Sequence, residues 1–196
     1  MKYISRAMVV AKRRVAVIVL FSGGIDSSAC LNYYKSKRYN VKAVFVDYGQ
    51  RANRMELSSA RALATHYGVP LQKLRIDVEA RFGEGEIFCR NAVLLLSALM
   101  ANPSFKGIIS IGIHSDSPYY DCTASFVSLM KRLVSEYSDG RVLLDVPFLL
   151  WSKRMIFDYA KSRRVPLSLT YSCERGRKNP CGECLSCRDV RALNAI

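Results

Sequence analysis

The sequence lacks any apolar run that approaches the ~18 residues needed to span a membrane. Acidic residues are also scarce: 16 Asp and Glu stand against 30 Lys and Arg among 196 residues, for a formal net charge of +14. No internal repeat or low-complexity linker divides the chain. Half of the residues are apolar, which excludes a disordered chain, and the length suffices for one buried core with a small appendage.

The positive charge is compatible with two kinds of partner. A sequence pI near 9.7 is typical of nucleic-acid-binding proteins, and short basic clusters occur at residues 12–14, 35–38, 161–164 and 174–178. The other basic residues are spread along the chain, as expected of a solvated surface that binds an anionic small molecule such as ATP. Nucleic acid is therefore an alternative partner that is not required, and no membrane partner is expected.

The N-terminal segment places basic residues before an apolar stretch, as a secretory leader does. No small-residue cleavage site follows residues 15–21, which lead directly into a glycine turn, so we expect a buried strand there. Of the 7 cysteines, most lie close together near the C-terminus, which fits cytosolic thiols and a metal site better than a secreted disulfide scaffold. A cytoplasmic protein is expected.

Strand-like and helical segments alternate along the chain. Continuous apolar or β-branched runs predict strands at residues 15–21, 41–46, 71–76, 108–113 and 142–146. Helical periodicity predicts helices at residues 27–37, 54–67, 91–100, 124–137 and 152–164. This order indicates an α/β fold, a doubly wound parallel sheet in which ligands bind beyond the carboxyl ends of the strands.

The first motif, SGGIDS, begins at Ser22 between a predicted strand and a predicted helix. Gly23 and Gly24 allow a tight turn that brings backbone N–H groups close to an anion at the helix N-terminus. Ser22 and Ser27 can add hydroxyl donors. The spacing matches neither the Walker motif nor the dinucleotide-binding fingerprint. The alternative is a glycine-rich turn with no ligand.

Three further motifs follow other predicted strands. DYGQR, from Asp47 to Arg51, offers a carboxylate, a ring, an amide and a guanidinium, although an ordinary loop has the same pattern. Arg90 and Asn91 open the leucine-rich helix, where Asn is also a good N-cap. The stretch from His114 to Cys122 is suited to stacking a purine-like ring and hydrogen-bonding its edge. His114 itself is expected to be structural.

The fifth chemical signal is the C-terminal cysteine spacing: Cys173, then Cys181, Cys184 and Cys187 separated by two residues each. Four thiolates bind Zn²⁺ tetrahedrally, and each C-x-x-C turn lets two of them reach one ion. Disulfides and an iron–sulfur cluster are the alternatives. After residue 170 the composition is too poor in apolar residues for a separate core. We therefore predict an α/β domain over residues 1–170 and a structural zinc knob over residues 171–196.

In this order the motifs resemble the 7-cyano-7-deazaguanine synthase family, the queuosine-pathway members of the N-type ATP pyrophosphatase (PP-loop) superfamily. The resemblance extends from Val15 to Arg188. It implies a ligase that converts 7-carboxy-7-deazaguanine and ammonia, with ATP and Mg²⁺, into 7-cyano-7-deazaguanine through an acyl-adenylate and an amide. It also implies a homodimer.

The resemblance implies roles for individual residues. The expected catalytic residues are Asp26, Ser22 and Asp47. The expected ATP contacts are Phe21, Ser22, Gly23, Gly24, Asp26, Ser27, Asp47, Tyr48, Gln50 and Arg90. The expected substrate contacts are Asn91, Tyr120 and Asp121, and the expected Zn²⁺ ligands are Cys173, Cys181, Cys184 and Cys187. The remaining cysteines, Cys30, Cys89 and Cys122, are expected to be small apolar or lining residues rather than nucleophiles.

The chain departs from the family pattern between Asp77 and Arg90, where the family usually carries a longer insert. The family's H-x-x-E-L is also changed, since Ala52 and Asn53 stand where its His belongs, ahead of Glu56. Two alternatives follow. One is a paralogue that adenylates another acceptor, such as a protein end, a DNA-linked deazapurine or a tRNA base. The other is a non-catalytic zinc-knuckle module that binds nucleic acid.

Overall fold

The computed structural model describes residues 14–79, 82–83 and 85–194. The strands are β1 (Ala16–Leu20), β2 (Asn40–Asp47), β3 (Leu71–Arg75), β4 (Gly107–Ser110) and β5 (Val142–Asp145). The α-helices are α1 (Ile25–Ser36), α2 (Asn53–Tyr67), α3 (Arg90–Met100), α4 (Ala124–Tyr137), α5 (Lys153–Ser162) and α6 (Leu185–Asn194). Short 3-10 turns lie at Tyr120–Cys122 and Leu167–Leu169.

The five strands form one parallel sheet in the order β3-β2-β1-β4-β5. The chain moves outward from β1 to β3 and then crosses back to β4 on the other side of β1. Such a reversal opens a crevice at the carboxyl ends of the two central strands, β1 and β4. The predicted doubly wound α/β fold is confirmed.

Side chains of the central strand alternate between two cores. Val17 and Val19 face the core formed with α1, α2 and α5, whereas Ile18 and Leu20 face the core formed with α3 and α4. Because both faces are covered, β1 is apolar at every position rather than at every second one. This burial explains the unbroken hydrophobic run that precedes the glycine motif.

Each predicted strand and helix corresponds to an observed one, with ends shifted by a few residues. The largest shift is at β4, which ends at Ser110 rather than Ile113. Sequence reasoning missed α6, a short amphipathic helix that contains Cys187 and begins directly after Cys184. Leu193 and Val190 of α6 pack against the core of the sheet, so the C-terminal segment contributes directly to that core.

The domain boundary at residue 171 stays a prediction. Residues 1–13, which are predicted to belong to the first domain, lie outside the described residues. No helix within the described ranges is long and apolar enough to cross a membrane.

Candidate active site

A cavity of about 690 Å³ opens at the carboxyl ends of the central strands, where the fold places ligands. It brings together nine of the residues expected to bind nucleotide or substrate. These are Phe21, Ser22, Gly24, Asp26, Ser27, Tyr48, Gln50, Arg90 and Asn91. Gly23, Asp47, Tyr120 and Asp121 do not line it.

The glycine motif forms a tight hydroxyl-rich turn at the start of α1. Ser22 Oγ lies 3.2 Å from Ser27 Oγ, and the Gly24 N–H donates to Ser22 Oγ at 3.3 Å. Ser27 and Ser28 hydroxyls both donate to the Gly24 carbonyl oxygen, at 3.1 and 2.8 Å. These contacts leave the positive end of α1 facing the cavity, which is a favourable place for a phosphate group.

Gly23 is held against α2 at a distance that leaves no room for a side chain. Its φ is +82°, and an added Cβ would lie 2.7 Å from the Ala60 backbone nitrogen. Its carbonyl oxygen accepts from the Ser59 hydroxyl at 2.8 Å and from the Tyr171 N–H at 3.0 Å. Gly23 therefore shapes the loop from behind while Ser22 and Gly24 face the cavity.

Asp26 lies at the centre of a charged cluster that sequence reasoning did not anticipate. Its Oδ2 forms an ion pair with the Lys153 ammonium and lies 3.9 Å from His114 Nε2. Its Oδ1 is buried and has no hydrogen-bond partner among the described residues. Burial lowers the pKa of His114, although the Asp26 carboxylate opposes this change. An oxygen in this state suits a missing cation or water, which is the role expected of a Mg²⁺ ligand.

Lys153 could have been suspected from its position in the sequence. It opens α5 beside Arg154, and basic residues are unfavourable at the positive end of a helix dipole. Both side chains line the cavity. Their placement supplies positive charge close to the glycine turn, where phosphate groups would lie.

The opposite wall of the cavity is built around Arg90. Arg90 contacts the Tyr48 hydroxyl and lies near Glu56, whose Oε2 accepts from the Gln50 amide at 3.0 Å. Burial raises the pKa of Tyr48 to about 12 and also raises the pKa of Glu56, and in each case Arg90 acts in the opposite direction. The Tyr48 ring packs edge-on against Phe82, with centroids 5.5 Å apart. This wall combines aromatic surface with one cation, as a nucleotide or a planar carboxylate requires.

Asp47 is turned away from the cavity. Its Oδ2 pairs with Lys73 at 2.9 Å and its Oδ1 accepts from the Gly49 N–H at 3.3 Å. Burial raises its pKa, but hydrogen bonds from Lys73, Asn53 and Gly49 lower it by more, so the net pKa is lowered. In this structure Asp47 fixes the loop that carries Tyr48 and Gln50.

Asn91 and Asp121 bind each other at the rim of the cavity. The Asn91 backbone N–H donates to Asp121 Oδ2 and its amide donates to the Asp121 carbonyl oxygen, both at 3.0 Å. Asp121 thus caps the start of α3. Tyr120 is largely exposed and packs against Phe126 instead of the cavity.

The three other cysteines fall in different environments. Cys30 is buried, and this burial raises the pKa of its thiol to about 12. Cys122 is buried beside the cavity, and burial raises its pKa as well. Cys89 is exposed at the start of α3.

The ligand atoms of Cys173, Cys181, Cys184 and Cys187 all lie within 4.8 Å of one another. Cys181 Sγ and Cys187 Sγ are 3.8 Å apart, which equals the edge of a tetrahedron with ligand distances of ~2.3 Å, as in a zinc site. Backbone N–H groups of Cys184 and Glu183 donate to Cys181 Sγ at 3.3 and 3.5 Å. Such donors favour the thiolate form, so the cluster fits a metal ion.

Glu174 connects this cluster to the rim of the cavity. Its Oε1 accepts from the backbone N–H and the hydroxyl of Ser186, and its Oε2 accepts from the Gly85 N–H at 3.3 Å. Glu174 therefore joins Gly85, in the segment where the family usually carries an insert, to the cysteine knob.

The chain matches the family model "Queuosine biosynthesis protein QueC" over residues 16–94 and 83–194. It is 33% identical to the 7-cyano-7-deazaguanine synthase of Persephonella marina, with 94% of this chain and 95% of the relative covered. It is 32% identical to the synthase of Aquifex aeolicus, with 90% and 94% covered.

Solved structures with this fold include the U34-tRNA thiolase NcsA of Methanococcus maripaludis, with a TM-score of 0.55 and 18% identity. That similarity covers 94% of this chain and 66% of the thiolase. A 4-thiouridine synthetase in complex with RNA and ATP has a TM-score of 0.51 and 18% identity, with 92% and 50% covered. At this identity the likeness concerns the fold alone.

Proposed function

This chain belongs to the QueC family of queuosine biosynthesis proteins, and on that premise we propose that it is an ATP-dependent carbon–nitrogen ligase. It converts 7-carboxy-7-deazaguanine and ammonia into 7-cyano-7-deazaguanine. The curated relatives carry the name of this synthase, and they match almost the whole chain. The comparisons therefore favour neither another acceptor nor a non-catalytic zinc module.

The observation that carries this proposal is the turn at Ser22–Ser27 facing a cavity that also holds Arg90. Hydroxyl and N–H donors at the start of α1 would bind the β- and γ-phosphates. Asp26 would hold Mg²⁺, since one of its carboxylate oxygens is buried with no partner in the described chain. Mg²⁺ bound there supplies charge neutralisation to the departing pyrophosphate.

Adenylation makes the carboxylate oxygen of the substrate a good leaving group. The carboxylate attacks the α-phosphate of ATP, pyrophosphate leaves, and an acyl-adenylate forms. Ammonia then displaces AMP to give the amide. A second adenylation of the amide oxygen allows AMP to leave with that oxygen, which gives the nitrile. Each nitrile therefore accompanies two molecules of pyrophosphate and two of AMP.

Lys153 is proposed to act on the phosphates. In the ligand-free arrangement its ammonium is paired with Asp26, so the cation is held at the cavity surface beside the glycine turn. If Asp26 held a metal ion, the Lys153 ammonium would be free to contact a phosphate oxygen instead. A fixed cation at this position stabilises the charge that develops on the leaving group.

Arg90, Tyr48 and Gln50 are proposed to hold the nucleotide or the substrate carboxylate at the opposite wall. Glu56 accepts from Gln50 and lies near Arg90, so it keeps both side chains oriented. Asp47 is proposed to act indirectly, by fixing their loop through Lys73 and Gly49. Asn91 lines the cavity, and Asp121 positions it from behind. Tyr120 would reach a substrate only if its exposed ring moved.

The bound metal of the knob is proposed to be structural Zn²⁺, because four cysteines close its coordination sphere. Seven thiols without a disulfide among the described residues fit a reducing compartment, so we propose the cytoplasm.

A homodimer is proposed through α4. Leu129, Leu133 and Tyr137 recur every four residues on its outer face, and Tyr137 is 83% exposed. Arg132 and Glu136, which pair with each other at 3.9 Å, flank this stripe. Sedimentation velocity of Tyr137→Ser tests the contact: the wild type should sediment as a dimer and the variant as a monomer.

Pyrophosphate release tests the ligase proposal. The wild-type protein with Mg-ATP should release pyrophosphate only when 7-carboxy-7-deazaguanine is added, and Asp26→Ala should release none while its circular dichroism spectrum is unchanged. Release that does not depend on this substrate would contradict the proposed acceptor. Unchanged turnover by Asp26→Ala would contradict the role of the glycine turn.

A further inference from the structure

Two nearly identical basic tetrapeptides end two neighbouring helices. The sequence KSKR occupies residues 35–38 at the end of α1, and KSRR occupies residues 161–164 at the end of α5. Neither segment has a role in the ligase chemistry, since both lie at the opposite ends of these helices from Asp26 and Lys153. The six cations are Lys35, Lys37, Arg38, Lys161, Arg163 and Arg164, which together we name the paired basic ends.

The two segments also share one backbone geometry. The Tyr39 N–H donates to the Tyr34 carbonyl oxygen, and the Val165 N–H donates to the Ala160 carbonyl oxygen. This six-to-one hydrogen bond defines a Schellman motif, which requires a left-handed residue just beyond the helix.

That left-handed position is occupied by arginine in both cases. Arg38 has φ +63° and Arg164 has φ +54°. The same motif at the end of α2 has Gly68, and the end of α4 has Asp139, two residue types that tolerate this conformation. Arginine has no such tolerance. Its presence at two equivalent positions costs stability, which favours a role for the side chain outside the fold.

The paired basic ends lie side by side on one surface. Helices α1 and α5 pack against each other, and the Tyr159 hydroxyl of α5 donates to Asn32 Oδ1 of α1 at 3.2 Å. The Lys37 ammonium lies 3.7 Å from the centroid of the Tyr33 ring, and the Arg163 guanidinium lies 5.8 Å from that of Tyr159. These rings fix two of the cations at the surface rather than leaving them fully mobile.

No member of the paired basic ends forms an ion pair within the described part of the chain. The acidic residue of α5, Asp158, is engaged with Arg154 at 3.0 Å. Lysine in a last turn can be explained by the helix dipole, but this effect does not account for arginine in a left-handed position beyond the helix. Six unpaired cations on one surface of a chain with net charge +14 form an electrostatic footprint for a polyanion.

We propose that the paired basic ends bind the phosphate backbone of RNA. A row of cations at two adjacent helix ends suits successive phosphates, and binding of this kind is driven by counterion release. The backbone phosphates that these cations would contact occur in both RNA and DNA, so duplex DNA of the same length serves as the competing ligand in the test. The proposal goes beyond the ligase function and does not require it, since the surface is separate from the cavity.

The first test measures binding of a fluorescein-labelled, folded tRNA transcript by fluorescence anisotropy between 50 and 200 mM salt. The double variant Arg38→Gly/Arg164→Gly removes two cations and relieves the backbone at both positions. We expect its affinity to fall about tenfold at 0.1 M salt, and the slope of log K against log salt to decrease by about one to two. Its melting temperature should be unchanged or higher by about 2–4 °C, because glycine suits both positions.

Two control variants are needed. The first removes the same total charge from elsewhere on the protein, and the second changes the same two residues but keeps their charge. Arg61→Gln/Lys131→Gln removes two exposed cations, one from α2 and one from α4. It should leave affinity within about twofold of wild type, because neither cation belongs to the surface proposed to contact phosphates. Arg38→Lys/Arg164→Lys keeps the charge and should bind as wild type does. All three proteins should form the nitrile at the wild-type rate, so failure of the ligase proposal would not be confused with failure of this one.

Several results would overturn the proposal. One is absence of wild-type binding at 10 µM protein and low salt. Another is an equal loss of affinity in Arg61→Gln/Lys131→Gln, which would assign binding to net charge alone. A lower melting temperature with unchanged affinity in the glycine variant would make the arginines structural. Equal or tighter binding of duplex DNA of the same length would remove the assignment to RNA.

Discussion

The ammonium group of Lys153 forms an ion pair with the carboxylate of Asp26 across 127 residues of sequence, while the second oxygen of Asp26 is buried without a partner in the described chain. The pair joins the first turn of α1 to the first turn of α5 at the mouth of the cavity. It places one anion and one cation next to the glycine turn, where we propose that phosphate binds. Both charges would then lie within reach of Mg-ATP.

Lys153→Met tests the catalytic use of this cation. We expect kcat for substrate-dependent pyrophosphate release to fall about 10²- to 10³-fold, as when a preorganised charge is removed from a developing anion. Steady-state kinetics with saturating ATP measures the change, and Lys131→Met on α4 is the matched control. A loss below about threefold would mean that Lys153 only neutralises Asp26.

Gly23→Ala tests the close approach between the glycine turn and α2. The added Cβ would lie 2.7 Å from the Ala60 nitrogen at φ +82°, so we expect the free energy of unfolding to fall by about 2–4 kcal/mol. Gly49→Ala is a matched control, because Gly49 has φ +83° but no atom within 4 Å of an added Cβ. It should cost about 1 kcal/mol, from backbone strain alone. Urea unfolding measures the free energy of unfolding of both variants. Equal losses of stability in Gly23→Ala and Gly49→Ala would show that crowding by α2 is unimportant.

Cys184→Ser tests the metal site. With one ligand removed, we expect the metal content to fall from one ion per chain to near zero, and the melting temperature to fall by about 5 °C or more. Inductively coupled plasma mass spectrometry of the native protein identifies the ion. Cys89→Ser, at the exposed cysteine that precedes α3, should change neither quantity. A native protein that contains no metal, or iron in place of zinc, would contradict the proposed site.

Glu56→Gln tests the buried carboxyl behind Arg90. Burial raises the pKa of Glu56 above its usual 4.5, with Gln50 and Arg90 opposing the change. The pKa of Glu56 is higher in the folded protein than in the unfolded chain, so ionisation of Glu56 destabilises the fold. This destabilisation is complete above the folded-state pKa and is absent well below 4.5. The variant should therefore be more stable than wild type at pH 8, with a gap that closes as the pH falls toward 4.5.

Urea unfolding across this pH range measures the gap. A variant less stable than wild type at pH 8 would show that the interaction with Arg90 outweighs burial.

The features that sequence reasoning captured are local ones. Strand and helix order followed from apolar periodicity, and the turn at Gly23 and Gly24 followed from residue types within six positions. The cysteine cluster was predicted for the same reason, because C-x-x-C spacing brings two ligands together within a single turn. Each of these depends on neighbours in the chain.

The features that were missed depend on tertiary contacts. Lys153 becomes a site residue only because α5 starts beside α1. Asp121 was expected to contact the substrate. Its carboxylate accepts a hydrogen bond from the backbone N–H of Asn91, 30 residues away, and so caps the start of α3. Helix α6 was missed because Cys187 was interpreted only as a metal ligand, whereas Leu193 on the same helix packs into the core of the sheet.

The central claim is nitrile formation, and mass spectrometry of one reaction tests it most directly. The reaction contains the protein, Mg-ATP, ¹⁵N-ammonium and 7-carboxy-7-deazaguanine. We expect 7-cyano-7-deazaguanine that carries the heavy nitrogen, with two molecules of AMP for each nitrile and no product from Asp26→Ala. Binding of ATP without any nitrile or amide, under conditions in which a curated relative forms the nitrile, would contradict it.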